Sequence, residues 1–159
     1  MCKAKNLHSV DFSPDFPLQP HLRFVSLEQL PGWNAILGLQ FECLVLNNIP
    51  AIVSKLGLGQ TLLLSAAPYR QNATARAKGC QIDLLLQTRR GTYAVEIKRR
   101  ESIGEEVVHE VEEKLSRLKV RRESSVYAVL VYEGRLSKRV EADGFFVRTI
   151  SAESLLGTE

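Results

Sequence analysis

The chain has 159 residues, enough for one domain with a substantial core and hardly enough for two. Its 45% hydrophobic and 25% charged content is that of an ordinary globular domain, and no apolar run approaches the ~20 residues of a membrane span. Net charge is only +3, which argues against a uniformly basic nucleic-acid coat, but the charge is unevenly spread.

The N-terminal MCKAKNLHSVDFSPDF has no apolar core and is not a secretory signal. Cys2, Cys43 and Cys80 are too widely spaced for a zinc pattern and odd in number for a disulfide framework. The expectation is a cytoplasmic protein, with Cys43 and Cys80 as buried thiols.

Pro14, Pro17, Pro20 and Pro31 forbid a long helix over residues 1–31, which read as an extended arm or linker with a short helical turn around Ser26–Leu30. Residues 32–159 form the expected domain. Gly32 to about Asn48 predicts the first clear helix. Trp33, Ile36, Leu37, Phe41, Leu44 and Val45 recur at three- and four-residue steps, and Pro50 follows its end. Glu42 is the acid of this helix and sits between Phe41 and Cys43. It points to solvent, meets an arginine, or serves a metal. Ile49–Leu58 predicts a second short helix. Thr61–Ala67 predicts a strand closed by Pro68, and Tyr69–Lys78 a polar basic loop able to lie along a substrate groove.

Gly79 to Arg100, GCQIDLLLQTRRGTYAVEIKRR, predicts a β-hairpin. Ile82, Leu84 and Leu86 alternate with Gln81, Asp83, Leu85 and Gln87. In the second strand Tyr93, Val95 and Ile97 alternate with Thr92, Ala94, Glu96 and Lys98. Thr88-Arg89-Arg90-Gly91 is the turn. A hairpin centred between Arg89 and Arg90 pairs residues whose numbers sum to 179, so Asp83 faces Glu96 and Gln81 faces Lys98. Opposed carboxylates about 5 Å apart at Cβ repel, so something positive must join them. The candidates are Lys98, one diagonal step from Asp83, and a divalent metal. Between Arg70 and Arg100 lie eight basic residues (Arg70, Arg76, Lys78, Arg89, Arg90, Lys98, Arg99, Arg100) against two acids, Asp83 and Glu96. That stretch suits a polyanionic backbone, or is a solvated basic surface.

Gly104–Val120 predicts an amphipathic helix with a Val107, Val108, Val111, Leu115, Leu118 stripe. Acids in its first half and bases in its second favour the helix dipole, so its charge order is structural first. Lys114 and Arg117 reach phosphates only if that helix end faces the groove, and His109 is outward and no ligand. Val126–Tyr132 predicts a central strand reached by a parallel crossover, Glu133–Asp143 a polar loop, Gly144–Ile150 a last strand and Ser151–Leu156 a helical turn.

Asp83 followed by Glu96-Ile97-Lys98 on the next strand resembles the D…(D/E)xK signature of the restriction-endonuclease-like, PD-(D/E)XK, nuclease superfamily. The resemblance implies an α/β fold: a mixed central sheet flanked by helices with an α-β-β-β-α-β core. From about Trp33 to Leu156 the chain is also similar to the C-terminal nuclease-like domain of prokaryotic P-loop ATPases of the archaeal or AAA type. LGLQFECLVLNN, GCQIDLLLQT, AVEIKRR and EEVVHEVEEKLSRLKV carry that similarity. No GxxxxGK[ST] phosphate loop is present, so no ATPase site is expected here, and the chain is expected to be a separated or truncated relative.

What the resemblance implies is Mg²⁺- or Mn²⁺-dependent hydrolysis of nucleic-acid phosphodiester bonds, with DNA as the main partner, an ATPase module as a second, and no membrane. Asp83 and Glu96 would hold the metal, with the Ile97 carbonyl as a further ligand and Glu42 reaching it through water. Lys98 would orient or help deprotonate the attacking water. Arg70, Arg76, Lys78, Arg99 and Arg100 would hold the backbone without reading bases. The alternative is a catalytically inactive nuclease-fold module that binds DNA or another protein.

Overall fold

The computed structural model describes residues 26–75, 78–120 and 124–157. The chain divides into two units, Met1–Trp33 and Asn34–Glu159. Among the described residues of the first, a 3-10 turn spans Leu27–Gln29, within the helical turn expected there. The expected arm over residues 1–25 lies outside the described residues.

The second unit is an α/β domain with a mixed five-stranded sheet. Its elements run α1 (Trp33–Asn47), α2 (Ile49–Lys55), β1 (Leu63–Gln71), β2 (Cys80–Thr88), β3 (Gly91–Ile103), α3 (Glu106–Arg117), β4 (Ser125–Leu136), α4 (Lys138–Asp143), β5 (Phe146–Ser151) and α5 (Ala152–Leu156). Spatial order follows chain order, β1-β2-β3-β4-β5. The first three strands are antiparallel neighbours. β4 then enters parallel to β3, and β5 parallel to β4, as helix-containing crossovers require.

The hairpin has the expected register: Leu84 pairs with Val95, Leu85 with Ala94, Leu86 with Tyr93 and Gln87 with Thr92. The turn closes on Thr88, whose hydroxyl accepts from the Gly91 and Arg90 N–H groups at 3.0 and 3.2 Å and donates to the Gly91 carbonyl at 2.9 Å. At Gly91 an added Cβ would lie 2.7 Å from the Tyr127 ring, so a larger residue would have to push that ring aside.

The ladder stops at Leu84 and Val95, so neither Asp83 and Glu96 nor Gln81 and Lys98 are ladder partners as expected; on its β1 side Gln81 pairs with Arg70. Nor do Ile82, Leu84 and Leu86 share a face. Leu84 and Leu86 join the cluster with Phe41, Val45, Ile52 and Val95, whereas Ile82 packs with Cys80, Leu85, Ala94 and Leu118. The cause lies in β1. Ala67 pairs with Leu85 and Tyr69 with Ile82, so Asp83 and Leu84 together span the interval that Pro68 fills alone. Pro68 has no N–H to give the ladder, and the extra residue bulges β2 and re-aims its side chains. Pro68 therefore does not end the strand as expected. On an edge strand its missing donor is tolerated, and β1 continues to Gln71, taking Tyr69–Gln71 out of the expected loop.

Other boundaries also move. β3 runs on to Ile103 and β4 to Leu136, and α4 occupies part of the stretch read as a polar loop. Its start is Ser137, whose hydroxyl accepts from the Arg139 N–H. β4 is interior, with Ala128–Val131 buried, though β3 holds the middle of the sheet. Of the apolar residues expected to seat α1, Phe41 and Val45 are buried but Ile36 and Leu44 are exposed, and Cys43 is exposed rather than buried. The helix is apolar on all sides and packs only one stripe. Among the described residues no single helix is long and apolar enough to cross a membrane.

Candidate functional site

Where β2 and β3 part, the missing backbone bond is supplied by a side chain. The Ile97 N–H donates to Asp83 Oδ2 at 2.8 Å. Ile97 thus enters the site through its N–H. Asp83 is half-buried, and its carboxyl is pushed up from 3.8 to about 6. Burial is the main cause, followed by the Glu96 charge and more weakly Glu42. The Ile97 N–H and Lys114 pull the other way.

Glu96, one residue beyond the last ladder pair, is 2% exposed. A carboxylate taken so far out of water needs charged partners. It has two. Lys114 on α3 places its Nζ 2.7 Å from both Oε1 and Oε2. Lys98 Nζ lies 2.9 Å from Oε1 and 2.8 Å from Oε2 of Glu110. Although burial pulls the Lys98 ammonium down, Glu110 and Glu96 more than offset it, and its pKa is held above the usual lysine range. Lys98 is therefore a charged donor in this state, not a base.

The wall opposite the fork is α3. Val107, Val111 and Leu118 bury its apolar stripe, and Lys114 falls on that stripe at the same three- and four-residue spacing. The helix end is tied to β2 as well: the Cys80 thiol donates to the Lys114 carbonyl at 3.2 Å, and burial keeps that thiol protonated by raising its pKa. Read as phosphate-reaching at most, Lys114 is instead part of the acid cluster, with Glu110 beside it. The signal was available in the spacing, since Val107, Val111, Lys114 and Leu118 form one line.

The basic residues are placed less simply than the composition suggests. Arg99 pairs with Glu133 at 2.9 Å, and Arg100 with Glu110 at 3.1 Å and Glu106 at 3.5 Å. Both arginines line a cavity of about 540 Å³ with Asn34, Glu101 and Glu133. Gly134 completes its wall, and a Cβ there would fall 1.7 Å from the Arg100 carbonyl. Acids from α3 and β4 thus neutralise part of the basic stretch. Arg70 and Lys78 are exposed on or beside the edge strand, and Arg76 lies outside the described residues. Tyr69 is partly buried, with its hydroxyl donating to Gln71 Oε1 at 3.2 Å. Another cavity of about 540 Å³ is lined by Ser54, Lys55, Arg148 and Ser154 among others, with no carboxylate among the described residues that line it.

Asp83, Glu96 and Lys98 therefore meet at the fork, Glu42 comes near enough for its charge to be felt, and Lys114 and Glu110 join them. The oxygen donors are of the kind a hard dication takes. In the arrangement seen, ammonium groups cover both Glu96 oxygens, and among the described residues no group of three or more His, Cys, Asp and Glu side chains is set to hold an ion. The donors fit a metal in kind, provided an ammonium leaves.

The fold and site define a mixed α/β domain with a buried acid–ammonium cluster at a strand fork. No family of known proteins matches the chain, and no curated protein is similar to it. A solved structure described as a protein of unknown function, AF1548, aligns over 70% of this chain at 13% identity with a TM-score of 0.45. The alignment covers 65% of that protein, just under two thirds of its length. So distant a likeness carries no argument about activity.

Proposed function

We propose that this chain is a metal-dependent nuclease of the restriction-endonuclease-like type, hydrolysing DNA phosphodiester bonds. The observation that carries this is the fork. Two carboxylates from adjoining strands, Asp83 and Glu96, converge where the backbone ladder opens, with the Lys98 ammonium 2.9 Å from one of them. The order α1, β1, β2, β3, α3, β4 supports the same core, with α2 as an addition after the first helix.

A bound Mg²⁺ or Mn²⁺ would polarise the phosphoryl oxygen and make a water nucleophilic near neutral pH. Asp83 and Glu96 would hold it, and Glu42 would reach it through water. Lys98, retained by Glu110, keeps its proton. It orients the attacking water and stabilises charge developing on phosphorus rather than removing a proton. Arg70 and Lys78, exposed at the edge strand, supply backbone contacts. Arg99 and Arg100 join them only by exchanging Glu133, Glu106 and Glu110 for phosphates. An ATPase module is the second partner implied by the resemblance.

The test is incubation of plasmid and single-stranded DNA with Mg²⁺ or Mn²⁺, comparing the wild type with Lys98→Ala. Expected is cleavage by the wild type and a loss of about 10²-fold or more in the variant. Equal cleavage by both removes Lys98 from the chemistry, and no cleavage by either overturns hydrolysis.

An inactive protein-interaction module is the second reading. Ile36, Leu39 and Leu44, 47%, 62% and 37% exposed on α1, favour it. It would stand if DNA remained intact with every ion while a partner protein protected these side chains.

A further inference from the structure

We propose that Lys114 is a built-in counter-cation for the acid pair, which a divalent ion must displace, so that ion loading and release of the Lys114 ammonium are one exchange. This rests on assigning Asp83 and Glu96 to a metal site, but it concerns binding and not cleavage.

Charge is the first ground. Asp83, Glu96 and Glu110 bring three negative charges, and Lys98, Lys114 and Arg100, which also meets Glu110, bring three positive ones. The cluster is balanced without a metal. Adding a dication to it unchanged would leave an excess of two positive charges around a carboxylate that is 2% exposed, which half-buried surroundings disfavour strongly.

Geometry is the second. Lys114 takes both oxygens of Glu96, each at 2.7 Å, and so stands on the lone pairs a metal would use. The two lysines are not equivalent. Lys98 also meets Glu110 at 2.8 Å, a partner that holds it when Glu96 is taken over. The carboxylate Lys114 meets is Glu96, and its side chain is 27% exposed, so a rotation carries the ammonium into water. Its backbone stays in place, because the Cys80 thiol binds the Lys114 carbonyl. The flexible stem of a lysine permits this, as a rigid guanidinium fork would not.

The exchange gives the metal-free protein a reason to keep a buried acid. Without the ion, Lys114 satisfies Glu96. With it, the ammonium is freed into solvent. The affinity of the ion is lowered by whatever Lys114 contributes to the empty site.

The experiment is Mn²⁺ titration by calorimetry of the wild type and Lys114→Met, which keeps the stem and removes the charge. Expected is Mn²⁺ binding about ten-fold tighter or more in the variant, the size of one lost charged hydrogen-bond partner. Equal or weaker binding overturns the exchange, and so does no binding by either protein. A second measurement uses the wild type alone, so that poor folding of the variant does not matter. Lysine acetylation is mapped by mass spectrometry with and without saturating Mg²⁺, with exposed Lys138 as the reference. Expected is several-fold faster labelling of Lys114 with the ion; an unchanged rate overturns the proposal. If both exchange signatures appear but DNA stays intact, the exchange stands and hydrolysis falls.

Discussion

The two ends of the β2–β3 hairpin are built by opposite rules. At the turn end the ladder is regular from Leu84/Val95 to Gln87/Thr92, Leu84, Leu86 and Val95 are dry, and Thr88 ties off the turn with three hydrogen bonds. At the open end the ladder is given up, and Asp83 supplies the acceptor that a backbone carbonyl would. Val95 and Glu96 are neighbours and almost equally buried, at 0% and 2%. The first needs only carbon around it. The second needs two ammonium groups and a helix to deliver one of them. Dry apolar packing is concentrated at the turn end, and paired charges at the fork.

That division can be broken from either side. The largest effect is expected from Glu96→Ala, which should lower DNA cleavage by about 10³-fold, or ~4 kcal/mol in the barrier. Leu84→Ala, next to the fork but in the dry core, should cost about 3 kcal/mol of stability in urea unfolding. Its Mn²⁺ affinity should stay at the wild-type level. A large loss of affinity there would mean that the two ends are not separable.

The pH dependence of Asp83 sharpens the comparison at about 2 kcal/mol. Its folded pKa, about 6, lies above the unfolded 3.8, so the metal-free folded state binds more protons between those values and loses stability as pH rises through that window. Asp83→Asn has no such loss. In EDTA its stability relative to the wild type should therefore improve from pH 4 to pH 7 by about 2 kcal/mol, with chemical unfolding as the readout. A flat difference would mean that Asp83 titrates as an ordinary exposed carboxylate. The smallest effect belongs to the turn: Thr88→Val should cost about 1 kcal/mol and leave Mn²⁺ binding unchanged.

The register was legible because a polar turn ending in Gly91 lies between two apolar runs, Leu84–Leu86 and Tyr93–Val95. Asp83 reaches β3 beyond that ladder, through the Ile97 N–H, and Lys98 meets Glu96 from two residues along the same strand. What escaped depends on residues distant in the chain. The bulge that turns Ile82 away from Leu84 is set by Pro68 on another strand, and nothing in the hairpin itself announces it. Lys114 carried a charge order that helix electrostatics already explained, and this masked its place on the buried stripe. The basic stretch looked free because Glu106, Glu110 and Glu133, which neutralise part of it, lie outside it. Ile36, Leu44 and Cys43 stay exposed because α1 packs only one of its sides, although its apolar residues run all round it.

The most direct measurement is a crystal structure of the protein soaked in Mn²⁺, read by its anomalous signal. Expected is one ion about 2.0–2.3 Å from a carboxylate oxygen of both Asp83 and Glu96, with Lys98 still on Glu110 and the Lys114 ammonium withdrawn. A fork without signal at saturating Mn²⁺, and Glu96 still held by Lys114, would contradict the assignment and leave the cluster as an ion pair that only supports the fold.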